Sequence, residues 1–293
     1  MHTVTAVFLT PGGRVRSGWK VAGFIAIYMG LIFLVFSALH HLGLESRVSG
    51  ESARAVWMSA GLGAAASWIC LAAERRPFTS IGLVPGRRWL LEFLAGSAIG
   101  FLLMIVTALV IHGSGGFHWV RNPAIGVSQL AAAAWLYLAV AFNEEILSRG
   151  YAFQRLVQGI GPWGGQILFA LLFAYLHWGN PGMHGATKAW ATLNIGLAAL
   201  LLGLAWIRTG SLALPIGIHL GWNWTQGSLL VFGVSGTTGT PGLWSPVFQG
   251  RPVWLTGGAF GLEASLPCAL VCGLAILLLA RWKGRPAGER RPA

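Results

Sequence analysis

Aspartate is absent from this 293-residue chain, and its eight carboxylates are all glutamates: Glu45, Glu51, Glu74, Glu92, Glu144, Glu145, Glu263 and Glu289. A mechanism that needs an aspartate cannot run here, which excludes a diaspartyl intramembrane protease. Charge of either sign is scarce. Only 10% of residues are charged, against about 25% in soluble domains. Cysteine is scarcer still. Cys70, Cys268 and Cys272 all lie in apolar runs, with no CxxC, zinc-ribbon spacing or disulfide framework. They read as small packing residues. Histidine stops early, since none follows His219.

What is present is apolar. The chain is 55% hydrophobic, with 15 Trp and 42 Gly, and its mean hydropathy is +0.66. This composition excludes a soluble enzyme, a disordered chain and a collagen-like repeat, and indicates an integral membrane protein. The formal charge of +12 then reads as topology and attraction to anionic lipid headgroups, not as nucleic-acid binding. Arginine outnumbers lysine 17 to 3, a bias that fits a GC-rich bacterial genome.

A spanning helix needs about 20 mostly apolar residues. Val21–Leu39, Ala55–Ala73, Phe93–Ile111 and Ala189–Ile207 meet this, and Leu212–Phe232 meets it with His219 and Asn223 inside. Ala264–Ala280 is shorter but strongly apolar; Val127–Asn143 and Gly164–Leu176 are short. The first run is longer than a signal-peptide core and lacks an A-x-A exit, so it is expected to be a retained helix. Eight spans with the N-terminus inside place fifteen of the twenty basic residues on the inner side. The positive-inside rule thus predicts an all-α, multi-pass cell-membrane protein with about eight transmembrane helices and both termini cytoplasmic. Residues 1–293 read as one integral membrane domain with a core at 130–230. The stretch Gly233 to Glu263 reads as a loop, partly re-entrant, and the basic tail from about 281 to 293 as disordered.

Ionisable residues inside a bilayer are costly and point to function. Three clusters stand out. Glu144-Glu145-Ile-Leu-Ser-Arg149 puts two adjacent carboxylates at the edge of a span; a helix end with Glu145 paired to Arg149 at i,i+4 accounts for it without catalysis. Phe173-Ala-Tyr-Leu-His177 stacks a ring and an imidazole on one helix face; a structural histidine accounts for that. His219-Leu-Gly-Trp-Asn223 does the same within an apolar helix, as an interhelical hydrogen-bonding pair would. Together they say more. If the helix carrying Glu144 runs to about Val157 and turns at Gly159, Gly161 and Pro162, Glu144 and His177 both lie roughly 20 Å from that turn at 1.5 Å per residue. His219 and Asn223 reach a similar depth from the Thr209-Gly210 turn.

The chemistry of the set is coherent. Peptide hydrolysis needs a base for water and donors for the developing oxyanion. Glu145 points about 100° away from Glu144 on the helix, so Arg149 can neutralise Glu145 and leave Glu144 facing a cavity. Asn223 can donate a neutral hydrogen bond. Glu144, His177 and His219 would also make a three-ligand zinc set with an open position, although the HExxH signature is missing. Metal-free and metal-dependent versions both remain open at this level.

The ordered motifs Glu144-Glu145-x-x-x-Arg149, Phe173-x-x-x-His177 and His219-x-x-x-Asn223 resemble those of the CPBP family of intramembrane proteases, also called the Abi or CAAX-protease family. The resemblance covers roughly residues 130–230. It implies a glutamate-dependent membrane endopeptidase, with Glu144 as base, His177, His219 and Asn223 holding water or oxyanion, and Glu145 and Arg149 orienting the site. Phe173 supports it. A divalent metal such as zinc is implied to the extent that the family is described as metalloproteases. The implied partners are the bilayer and a membrane-anchored peptide or protein, such as a leader peptide or a membrane-anchored regulatory protein. Some family members act in bacteriocin immunity or as partners of other membrane proteins, so a non-catalytic scaffold is the alternative. A small transporter is a third reading, weakened because the polar residues converge at one place and form no line across the membrane. Gly233-Val-Ser235-Gly236 matches the GxSG of rhomboid serine proteases, but that mechanism needs a later histidine, so the run is read as a turn.

Overall fold

A computed structural model describes residues 6–48, 52–238 and 240–284. The far end of the basic tail, from 285 onward, lies outside the described residues. The chain runs through α1 (Ser17–His41), α2 (Ala53–Ala73), α3 (Arg87–Gly113), β1 (Phe117–Arg121), α4 (Val127–Arg149), α5 (Tyr151–Leu176), α6 (Gly185–Thr209) and α7 (Ala213–Trp224). A π-helical turn, Thr225–Leu229, extends α7. β2 (Trp244–Phe248), short helical turns and α8 (Leu266–Arg281) complete it.

The architecture is an all-α membrane bundle. Among the described residues five stretches are long and apolar enough to cross a bilayer; one of them, Val127–Gly179, contains both α4 and α5. α8, with 16 residues, is shorter but apolar. The expected eight continuous spans are therefore differently distributed. The segment expected as one span, Leu212–Phe232, is helical only to Trp224 before its π turn. Val231, at φ 50°, then takes the chain out of the helix. α1 presents Phe33 and Leu34 outward and α5 presents Leu171 and Leu176, as a lipid-facing surface requires.

α7 is the central element. From Ala213 to Asn223 every residue except Leu220 is buried. Its close fit to α3 comes from two glycine pairs at four-residue spacing. A Cβ at Gly96 or Gly100 would run into the carbonyls of Leu214 or Ile218, and one at Gly217 or Gly221 into those of Phe93 or Ser97. Small residues on both faces let the backbones approach, which drives helix pairing where no water is present to be expelled. This contact fixes the depth of His219 and Asn223.

The hairpin between α4 and the later half of α5 departs from the expected path. The helix carrying Glu144 ends at Arg149, not near Val157. Gly150 breaks it with ψ −135°; a Cβ there would strike the carbonyl of Ile146. A short helical segment then runs from Tyr151 to Gly161, where φ of 79° breaks the helix ahead of Pro162. That left-handed conformation suits glycine. The start of α5 is pinned where α1, α2 and α5 meet. The Tyr151 hydroxyl donates to Glu74 Oε1 at 2.6 Å, Lys20 Nζ lies 3.2 Å from the same carboxylate and Arg155 Nε 3.6 Å.

The connection from Gly233 to Glu263 is more ordered than a plain loop. β2 pairs antiparallel with β1, from Phe117 opposite Phe248 to Arg121 opposite Trp244. Among the described residues neither strand has a further neighbour, so Pro246 is tolerated on a two-stranded ribbon. Ser235 (φ 48°) and Gly236 (φ 85°) form a turn closed by pairing of Val234 with Thr237.

Candidate active site

α4, α5 and α7 bring the motif residues to one cavity of ≈ 300 Å³. Glu144 from α4, Phe173 and His177 from the end of α5, and His219 and Asn223 from α7 all line it. Glu145 and Arg149 do not; they stand behind the wall, fully enclosed.

The enclosed pair organises the rest. Arg149 Nη1 lies 3.0 Å from Glu145 Oε1, with side-chain exposures of 2% and 0%. The same guanidinium donates to Ser148 Oγ at 2.7 Å and to the Ala199 carbonyl of α6 at 3.0 Å. Its plane sits over the Phe173 ring, 5.0 Å from the centroid. A buried ion pair is stable only when further hydrogen bonds satisfy its remaining donors, and Arg149 finds acceptors on two elements, α4 and α6.

Glu145 in turn fixes His219. His219 Nδ1 is 2.9 Å from Glu145 Oε1. An ionised carboxylate only accepts, so Nδ1 carries the proton and donates it. Nε2 is thereby aimed at Glu144 Oε2, 3.8 Å away. That distance is too long for a direct hydrogen bond and suits a bridging water. Glu144 keeps 29% of its side chain exposed, in contrast to its neighbour.

His177 is oriented by a different device. It caps α5, and its Nδ1 donates to the Phe173 carbonyl at 2.7 Å. A neutral imidazole held in this way keeps an unprotonated Nε2. The Phe173 and His177 rings lie 4.6 Å apart, so Phe173 separates the arginine from the imidazole. Asn223 makes no side-chain hydrogen bond among the described residues and is 6% exposed. Its amide is available to the cavity it lines.

Among the described residues no three His, Cys, Asp or Glu side chains converge closely enough to hold a metal ion. The set Glu144, His177 and His219 borders one cavity without forming a ligand cluster.

Sequence reasoning missed the other polar residues of the lining, Asn180, Asn194, Ser235 and Glu263. Glu263 reads as a helix-start carboxylate matched to the helix dipole, yet it is 6% exposed and accepts the Trp222 indole N–H at 3.0 Å. It also accepts the Ser235 backbone N–H at 2.6 Å and hydroxyl at 3.0 Å. The apolar run after it gave a signal for a helix, but nothing in the local spacing marked a cavity residue.

No curated protein and no solved structure matches the chain. Residues 126–225, which carry every motif residue from Glu144 to Asn223, are similar to a family described as type II CAAX prenyl endopeptidase Rce1-like, whose model they match.

Proposed function

We propose that the chain is an intramembrane endopeptidase that cleaves membrane-associated peptides or proteins with a glutamate-activated water. The observation that carries the reading is the relay Arg149–Glu145–His219, which presents His219 Nε2 to Glu144 Oε2 across 3.8 Å at the cavity wall. The family match over residues 126–225 supports a peptidase at the coarse level.

In this reading a water sits between Glu144 and His219. It gives one hydrogen to Glu144 Oε2 and the other, as a hydrogen bond, to His219 Nε2. Glu144 takes the proton as the water oxygen bonds to the scissile carbonyl carbon, and the carbonyl electron pair moves onto oxygen. Asn223 donates its amide N–H to that oxyanion, a contribution typically worth a few kcal/mol in the transition state. His177 borders the same cavity, its Nδ1 held by the Phe173 carbonyl. The tetrahedral carbon then re-forms its carbonyl and expels the amine, which receives the proton held by Glu144. Enclosure in an apolar bundle strengthens each of these interactions.

The test is cleavage of membrane-anchored peptides by purified protein in lipid, compared with Glu144→Gln. Loss of about two orders of magnitude or more in kcat is expected for removal of a general base. Equal cleavage by both proteins would overturn the assignment. A Glu144→Gln protein that retains full biological function in cells would instead favour a non-catalytic scaffold.

A further inference from the structure

The cavity carries a second carboxylate that the hydrolytic chemistry does not use. Glu263 lies in the short turn Leu262–Ala264 ahead of α8, outside the family-matched segment. It lines the same cavity as Glu144 and His219. Its three donors, the Trp222 indole and the Ser235 amide and hydroxyl, are all neutral. They solvate the carboxylate without cancelling its charge. Among the described residues no lysine, arginine or histidine makes an ion pair with it within 4.0 Å. The buried arginine of the site, Arg149, is committed to Glu145 and the Ala199 carbonyl.

The surrounding wall is rich in acceptors. Asn194 lines the cavity beside it, is 1% exposed and donates through Nδ2 to the Ser265 carbonyl at 2.9 Å. Its Oδ1 has no partner among the described residues. Holding the Ser235 turn needs only an acceptor, which a neutral amide oxygen would supply. An unneutralised charge in a buried wall is costly, and that cost is offset when a cation arrives. Trp222 stands three residues beyond His219, about 4.5 Å along the helix axis, so a cation at Glu263 would belong to a residue within about three positions of the scissile bond.

We propose that Glu263 is a specificity-determining residue that receives a cationic group of the peptide substrate, with Asn194 contributing to the acceptor set. The inference rests on the peptidase reading of the same cavity.

The experiment uses the full-length protein in lipid nanodiscs and fluorescent peptides differing only by lysine or norleucine at each of three positions on either side of the cleaved bond. Each is made with a free and an acetylated N-terminus. Binding is measured on Glu144→Gln protein and cleavage on the unmodified one. At one position lysine is expected to tighten binding about tenfold over norleucine, and Glu263→Gln is expected to bring that ratio to about one. A preference that follows the free α-amino group instead would assign the same site to the substrate N-terminus. No preference for either cation, or a ratio that survives Glu263→Gln, overturns the proposal. Should Glu263→Gln fail to fold, the lysine-to-norleucine ratio of the unmodified protein decides, and it must fall as salt is raised. Binding with the lysine preference but no cleavage would refute the peptidase reading and leave the subsite standing. Cleavage without the preference would do the reverse.

Discussion

Removing Arg149 is the most informative perturbation of this site. Arg149→Met keeps much of the stem and deletes the guanidinium. It leaves Glu145 at 0% exposure, with its Oε2 already unpartnered. Breaking a buried pair from one side costs about 3–5 kcal/mol, because the remaining charge stays uncompensated. Loss of the stacking on Phe173 adds about 0.5–2 kcal/mol. Adding Glu145→Gln removes the stranded charge, so the double variant should lose less than the sum of the two single losses, with a coupling of roughly 1–3 kcal/mol. The assay is SDS-titrated unfolding in mixed micelles for the four corners of the cycle. Activity should fall in all three variants, since each disturbs the acceptor that holds His219 Nδ1. A loss below about 1 kcal/mol for Arg149→Met, or strictly additive losses in the cycle, would refute the account of Arg149 as the counter-charge.

Three further perturbations follow from the geometry. Gly217→Ala should lower stability and activity together, because the new methyl meets the Phe93 carbonyl; Gly30→Ala, which meets open space, should be neutral in the same unfolding titration. Burial would raise the Glu74 carboxyl, but the Tyr151 hydroxyl, Arg155 and Lys20 outweigh it and hold the group below its ordinary value of 4.5. A depressed carboxylate stabilises the fold above that value and loses the contribution as pH falls through the folded value. Unfolding titrations between pH 6 and pH 3 should therefore show an acid loss that Glu74→Gln reduces; an unchanged slope refutes it. Phe173→Leu removes the ring between Arg149 and His177, and should lower kcat while leaving the cavity's apolar lining in place, read by steady-state cleavage.

Much of this arrangement was legible in the sequence because its signals are local. The i,i+4 pairing of Glu145 with Arg149 and the stacking of Phe173 on His177 follow from helix periodicity alone. The turn at Gly161-Pro162 follows from the two residue types that best end helices. The break at Gly150 did not show, because an isolated glycine inside a helical pattern is commonly tolerated. The length of α7 was misjudged for a related reason. Its apolar run continues past Trp224, but the π turn and Val231 redirect it. β1 and β2 are far apart in sequence, so their pairing left no local signal. Glu263 was hidden most completely, since its partners Trp222 and Ser235 lie 41 and 28 residues away.

The two adjacent carboxylates show how neighbouring residues of one type acquire different environments. Arg149 lies four residues after Glu145 and pairs with it; Ser148 lies four after Glu144 and bonds only its backbone carbonyl. Register on a single helix thus leaves one carboxylate balanced behind the wall and the other open to the cavity. It follows that shortening should separate their roles. Glu145→Asp draws the acceptor back from both Arg149 and His219, so it should reduce stability and activity alike. Glu144→Asp changes no described ion pair except the long contact to His219, so it should lower kcat with little change in unfolding. Parallel stability and cleavage measurements on the two variants decide. If both lose stability equally, the division between an anchoring and a reactive carboxylate is wrong.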